Sequence, residues 1–95
     1  MIVYRTKEEL IRHLDDLRVK QKSIGFVPTM GALHNGHISL VTRSVNDNDC
    51  TVVSIFVNPT QFNDPGDLEK YPRTPQEDLE LLQKNGVDLV FMPTV

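Results

Sequence analysis

The segment Cys50-Thr51-Val52-Val53-Ser54-Ile55-Phe56-Val57 constrains the fold more than any other part of this sequence. It is rich in β-branched residues and almost continuously apolar, so it has no polar face to turn toward water. A strand of this kind is buried on both sides, as in the middle of a parallel sheet covered by helices. Two further short apolar runs have the same character. Ser23-Ile24-Gly25-Phe26-Val27 is closed by Pro28, and Val87 with Leu89-Val90-Phe91-Met92 is stopped by Pro93.

Helical patterns separate these runs. Thr6-Lys7-Glu8-Glu9 has the form of a capping box, and Leu10, Ile11, Leu14 and Leu17 follow as one apolar stripe, which predicts a helix over about 7–19. From His37, the residues Ile38, Val41 and Val45 recur at helical offsets with Leu40 beside them, ending near Asn46-Asp47-Asn48-Asp49. Thr74-Pro75-Gln76-Glu77 reads as a third helix start, with Thr as cap, Pro at the first position and Glu closing the box. Leu79, Leu82 and Leu81 supply its buried face, and Gly86 is placed to end it in a left-handed conformation. Between Val57 and Thr74 lies a long stretch punctuated by Pro59, Pro65, Gly66 and Pro72, expected to be a functional loop.

The order is helix, then strand–helix–strand–helix–strand, which implies parallel strands joined by right-handed crossovers. The expected fold class is α/β: a parallel three-stranded half of a doubly wound, Rossmann-like nucleotide-binding fold with strand order 3-2-1. Ninety-five residues make one domain. A half-sheet with one unprotected edge is expected to be a piece of something longer.

Charge narrows the partners. The net charge is −3, so there is no basic surplus for a nucleic-acid backbone. Six of the ten basic residues (Arg5, Lys7, Arg12, Arg18, Lys20, Lys22) lie in the first 22 positions, read as a solvated helix face. No apolar run approaches the ~20 residues of a membrane span. The single cysteine, Cys50, allows no internal disulfide and no Cys-based zinc cage, and is read as a small core hydrophobe. With no secretory-type N-terminus, the expected location is the cytoplasm.

In open parallel sheets, ligands bind beyond the carboxyl ends of the strands. After the first apolar run comes Thr29-Met30-Gly31-Ala32-Leu33-His34-Asn35-Gly36-His37, leading into a helix. Gly31 and Gly36 allow tight turning and close approach, and a helix start favours an anion. His34 and His37 can both direct imidazole N–H donors at one phosphate, with Gly36 leaving room for it, and stabilise charge developing on phosphorus. The same pair could be half of a zinc site, but no third or fourth ligand follows at convincing spacing. It could also be two incidental surface histidines.

Pro28-Thr29-Met30-Gly31-Ala32-Leu33-His34-Asn35-Gly36-His37 resembles the signature of the pantoate–β-alanine ligase family, within the wider superfamily of HIGH-motif nucleotidyltransferases. Val53 through Phe62 resembles that family's VSIFVNPxQF block, and Asp67 through Thr74 its DxxxYPRT block. The resemblance covers essentially the whole chain. It implies ATP-dependent activation of (R)-pantoate to pantoyl adenylate with release of pyrophosphate. The amine of β-alanine then displaces AMP to give pantothenate, and Mg²⁺ accompanies the phosphates. It places ATP binding on Met30, Gly31, Ala32, Leu33, His34, Asn35, Gly36 and His37. His37 matches the histidine credited as proton donor, and on physical grounds His34 and His37 together are expected to be the catalytic phosphate-stabilising pair. Gln61 matches the residue that binds pantoate and lies against β-alanine, and its amide offers a donor and an acceptor to such a substrate.

Asn58 and Tyr71 are candidates for the same pocket, weighed against a turn-forming Asn and a packed Tyr. Glu77 and Asp78 are read as complements of a helix dipole, with a magnesium contact as the sharper alternative. His13 is expected to be partly exposed beside the first helix's stripe. Residues 1–95 would then be the N-terminal part of the family's Rossmann-like ATP- and pantoate-binding domain. The later phosphate loop, a second glutamine for pantoate and the small C-terminal domain would be missing, leaving this chain inactive alone. The resemblance also implies a homodimeric parent enzyme. Two other readings are an HxGH adenylyltransferase acting on a nucleotide-like phosphate, against which the NPxQF block argues, and a non-catalytic nucleotide-binding module.

Overall fold

A computed structural model describes residues 1–93. Its elements run β1 (Ile2–Tyr4), α1 (Lys7–Val19), β2 (Ile24–Thr29), α2 (Asn35–Asp47), β3 (Cys50–Ile55), a 3₁₀ turn (Pro59–Gln61), α3 (Pro65–Lys70), α4 (Pro75–Lys84) and β4 (Leu89–Phe91). The four strands form one sheet in the order β1-β4-β3-β2, every neighbouring pair parallel.

The three expected strands therefore stand in the expected 3-2-1 relation, as β4, β3 and β2. The expectation of three strands is corrected to four. β1 joins the outer side of β4 in the register Ile2 to Leu89 and Tyr4 to Phe91. It is tied at both ends by Ile2 N–H to the Asp88 carbonyl (3.0 Å) and Met92 N–H to the Tyr4 carbonyl (2.9 Å). β2 also continues through Pro28 to Thr29, paired with β3 along all six residues. β2 is an edge strand, where the N–H that proline lacks is not needed by the ladder.

β3 is buried on both faces, as its composition requires. Val53 and Ile55 pack with Val27, Val90, Val87 and Met92 beneath Val41 of α2 and Leu82 of α4. On the other face Cys50 and Val52 pack with Leu89 beneath Leu10 of α1. α1 thus covers one side and α2 with α4 the other, the three-layer arrangement of an α/β domain. Leu14 and Leu17 complete the α1 contact, but Ile11 is about half exposed and is not part of it. Cys50 is buried, and burial, helped by the Asp88 charge, pushes its thiol pKa up.

Local signals explain most element ends. Thr6 caps α1, accepting the Glu9 N–H and donating its hydroxyl to the Glu9 carboxylate at 2.8 Å. Gly86, at φ +86°, turns the chain out of α4. The expected capping box at Thr74 is not formed: its hydroxyl donates instead to Oδ1 of Asp78 at 3.2 Å. The stretch after β3 is not a plain loop. Asp64 caps the short α3 through the Gly66 N–H, and Pro65 occupies its first position. His13 is half-buried, as expected, and accepts or donates a 2.8 Å hydrogen bond with the Tyr4 hydroxyl.

Candidate active site

The carboxyl ends of β2 and β3 open into a cleft of about 480 Å³. Pro28, Thr29, Met30 and His37 line it from the β2–α2 side. Ser54, Phe56, Asn58, Gln61 and Tyr71 line it from the side that follows β3. His37 and Gln61, singled out 24 positions apart in the sequence, thus face one space. Asn58 and Tyr71 join them, so both of those even-handed candidates fall on the pocket side.

Each wall has a local cause. Asn58 accepts the Thr60 N–H (3.0 Å) and hydroxyl (2.8 Å) at Oδ1, which closes the 3₁₀ turn and sets Gln61 at its end. Gln61 is exposed, and only its backbone is engaged, with N–H donating to the Asn58 carbonyl at 3.1 Å. Its side-chain amide is therefore presented outward from a fixed turn. Tyr71 is held by an edge-to-face contact with Phe62, ring centres 5.6 Å apart. Arg73 donates to the carbonyls of Leu68 (3.1 Å) and Tyr71 (3.2 Å), closing the end of α3.

α2 begins at Asn35, two residues before the expected start, because His34 serves as its cap. His34 Nδ1 accepts the Gly36 N–H at 3.0 Å, and His37 Nδ1 accepts the His34 N–H at 3.1 Å. The two rings lie 4.2 Å apart. An Nδ1 that accepts a hydrogen bond carries no proton, so each neutral ring holds its proton on Nε2. The rings act as extensions of the helix terminus: backbone N–H into Nδ1, Nε2–H outward. Burial, and secondarily the neighbouring His34, hold the His37 pKa below its usual value, against an opposing pull from Asp78. His37 is therefore a neutral donor at pH 7.

Two expectations about this segment are revised. The space beside Gly36 is filled by an imidazole rather than left for a phosphate: a Cβ there would stand 2.9 Å from His34 Cε1 and 3.1 Å from Nδ1. Five backbone N–H groups of the turn are also engaged within the chain rather than open to an anion. Gly31 N–H goes to the Thr29 hydroxyl (3.2 Å), Ala32 and Leu33 N–H go to Asp78 (3.0 and 2.9 Å), and His34 and Gly36 N–H go to the imidazoles. The two Nε2–H groups add donors that this turn can offer an anion.

Gly31 (φ +83°) and Ala32 (φ +50°) are both left-handed. For Ala32 that costs about 1–2 kcal/mol. Asp78 was read from sequence as a helix-dipole residue; it is 3% exposed and its oxygens meet Ala32, Leu33 and Thr74. No sequence signal joins it to a turn 45 residues earlier. Glu77 beside it is exposed. Among the described residues no three His, Cys, Asp or Glu side chains gather as a metal site, and the Asp78 carboxylate is already committed. Asp78 therefore serves the turn in this structure, and Glu77 remains exposed beside it. No described helix is long and apolar enough to cross a membrane.

Comparison with known proteins places this geometry. The family model described as Pantoate-beta-alanine ligase matches residues 2–95. The pantothenate synthetase of Phocaeicola vulgatus is 60% identical over 95 residues, covering 100% of this chain and 34% of that protein. That of Christiangramia forsetii is 57% identical, covering 99% and 34%. Among solved structures, the pantoate-beta-alanine ligase of Francisella tularensis, complexed with beta-gamma ATP and beta-alanine, superposes with TM-score 0.91 at 49% identity. It is matched over 98% of this chain and 35% of its own. The Thermus thermophilus enzyme gives 0.80 at 44% identity, over 99% and 32%. The chain thus spans about a third of the length of these relatives. With the family model matching nearly every residue and both sequence and superposed backbone in agreement, the chain belongs to the pantoate–β-alanine ligase family.

Proposed function

We propose that residues 1–95 form the N-terminal part of the ATP- and pantoate-binding domain of an enzyme that joins (R)-pantoate to β-alanine. The observation that carries this reading is the shared cleft, with an outward Nε2–H donor on one wall (His37) and an amide on the other (Gln61). ATP lies along Met30–His37 with its α-phosphate at the two imidazoles, and pantoate is held by Gln61 at the ends of β2 and β3. A pantoate carboxylate oxygen attacks the α-phosphorus, the bond to the bridging oxygen breaks, and pyrophosphate leaves. His34 and His37 donate Nε2–H bonds to the phosphate oxygens as their charge rises, a stabilisation aimed at the transition state. The neutral amine of β-alanine, also against Gln61, then attacks the acyl carbon. The acyl–oxygen bond breaks, AMP departs, and the amine loses a proton. Magnesium enters with the nucleotide as part of that substrate, the ion being carried mainly by the phosphates and water. The resemblance supports a homodimeric enzyme acting in the cytoplasm.

The test is AMP and pantothenate release from ATP, (R)-pantoate, β-alanine and Mg²⁺ by a full-length protein carrying this chain, beside the 95-residue chain alone. Full-length turnover with an inactive short chain is expected, because positioning by opposing groups supplies about 7–11 kcal/mol of barrier lowering. No turnover by the full-length protein would overturn the reading. Turnover by the short chain within about tenfold of full length, a difference near 1.4 kcal/mol, would overturn the claim that the site is shared with absent parts.

A further inference from the structure

We propose that Asp78 is a positioning residue for nucleotide activation: it fixes the Gly31–Leu33 turn, and through that turn the pose of both imidazoles. The proposal rests on the ligation reading above for its kinetic consequences, and on geometry alone for its structural one. Asp78 is nearly fully buried in the first turn of α4, far along the chain from the turn it meets. Oδ2 accepts the Ala32 N–H at 3.0 Å and Oδ1 the Leu33 N–H at 2.9 Å, one bond per oxygen. The Thr74 hydroxyl donates to Oδ1 at 3.2 Å and aims the carboxylate. Gly31 leaves the space it occupies: a Cβ there would stand 3.2 Å from Oδ2.

The turn requires this hold. Two successive residues are left-handed, and one of them, Ala32, has a side chain that disfavours the conformation. The strained pair leads directly into His34, whose N–H orients His37 and whose ring caps α2. Loosening the turn therefore moves both Nε2 donors together. Gln61 sits on the other wall, set by its own Asn58 turn, and no hydrogen bond links it to Asp78. A carboxylate is needed because both backbone groups are donors. An amide of the same shape would put its own N–H against one of them.

Asp78→Asn in the full-length protein should raise KM for ATP and lower the adenylation rate, together at least about tenfold in kcat/KM for ATP, with KM for pantoate within about twofold. Leu82→Ala, in the same helix and fully buried, should lower Tm and leave KM for ATP unchanged. Backbone exchange gives a readout free of any reaction: the Ala32 and Leu33 amides should exchange at least about tenfold faster in Asp78→Asn while the middle of α2 keeps its protection. If Asp78→Asn does not fold, Thr74→Val, which removes the aiming hydroxyl, decides the matter through the same split in smaller degree. Equal rises in both KM values, a matching ATP defect in Leu82→Ala, or unchanged Ala32 and Leu33 exchange would each overturn the proposal. Should the wild-type protein not ligate at all, the proposed function fails, and exchange alone decides the role of Asp78.

Discussion

Gly36→Ala separates stability from chemistry in this site. The new methyl would stand 2.9 Å from His34 Cε1 and 3.1 Å from Nδ1. Carbon contacts settle near 3.5–4.0 Å, so the imidazole must retreat by on the order of 1 Å. That stretches the 3.0 Å Gly36 N–H bond to Nδ1 beyond hydrogen-bond range and uncaps α2. Losing a cap costs about 0.5–2 kcal/mol. Replacing glycine by alanine inside a helix returns up to about 1 kcal/mol. His34 is exposed, so its ring moves away without opening a core cavity. The net change in stability therefore runs from about 0.5 kcal/mol gained to about 2 kcal/mol lost, a Tm drop of at most about 4–8 °C in a full-length protein about three times this length. The reaction tolerates far less, because removing one preorganised donor from a developing oxyanion costs about 2.7–4 kcal/mol, or 10²–10³ in rate. The assay is thermal unfolding beside single-turnover formation of pantoyl adenylate in the full-length protein. A variant with near-native Tm and an undiminished adenylation rate would refute the assignment of His34 to the phosphate.

Gln61→Ala should raise KM for pantoate while leaving ATP affinity within about threefold, since a site built to hydrogen-bond a polar substrate loses heavily when its partner is deleted. Separate titrations of the two ligands decide it, and the reverse pattern would exchange the roles of the cleft's two walls. His37 has a folded pKa held below the unfolded value near 6.5, so the unfolded state binds more protons in that window. Its contribution to stability is complete above about pH 6.5 and is lost as pH falls through the folded value. Tm should therefore decline from pH 7 toward pH 5, and His37→Gln should make that slope shallower; an identical slope in the variant would remove His37 as a contributor.

Much of the fold was legible because its signals are local. The unbroken apolar character of Cys50–Ile55 announced a strand covered on both faces, and Thr6 and Gly86 marked helix ends through their own chemistry. β1 was not legible. Three residues carry no period, and Ile2–Tyr4 is a strand only because Leu89–Phe91 lies beside it. The short α3 did leave a trace in Asp64-Pro65, a capping residue followed by a proline at the first helical position, but the prolines around it read as loop. Thr74 departs from its local pattern: its hydroxyl donates to a buried carboxylate four residues on and accepts no backbone N–H. In the site, the identity of His34, His37 and Gln61 was readable, and the meeting of His37 and Gln61 in one cleft followed from sheet order. The satisfaction of the turn's N–H groups by Asp78 was not, because a bond across 45 residues has no sequence period.

The pairing of β1 with β4 also sets an order of events in time. β2 and β3 are joined through a single helix, and β3 and β4 through a somewhat longer connection, whereas β1 must wait for a partner at the other end of the described chain. Each doubling of the loop to be closed adds only about 0.6 kcal/mol, so the wait costs little in final stability. It costs more in rate, because distant contacts form after near ones. On a ribosome emitting about 5–20 residues per second, β1 stays unpaired for seconds until β4 appears. The β2–α2–β3 unit, which carries the imidazole pair, can assemble in that interval. In refolding, Val3 and Tyr4 should gain amide protection after Val52 and Val53; the opposite order in pulse-labelled exchange would place the terminal pairing in the folding nucleus.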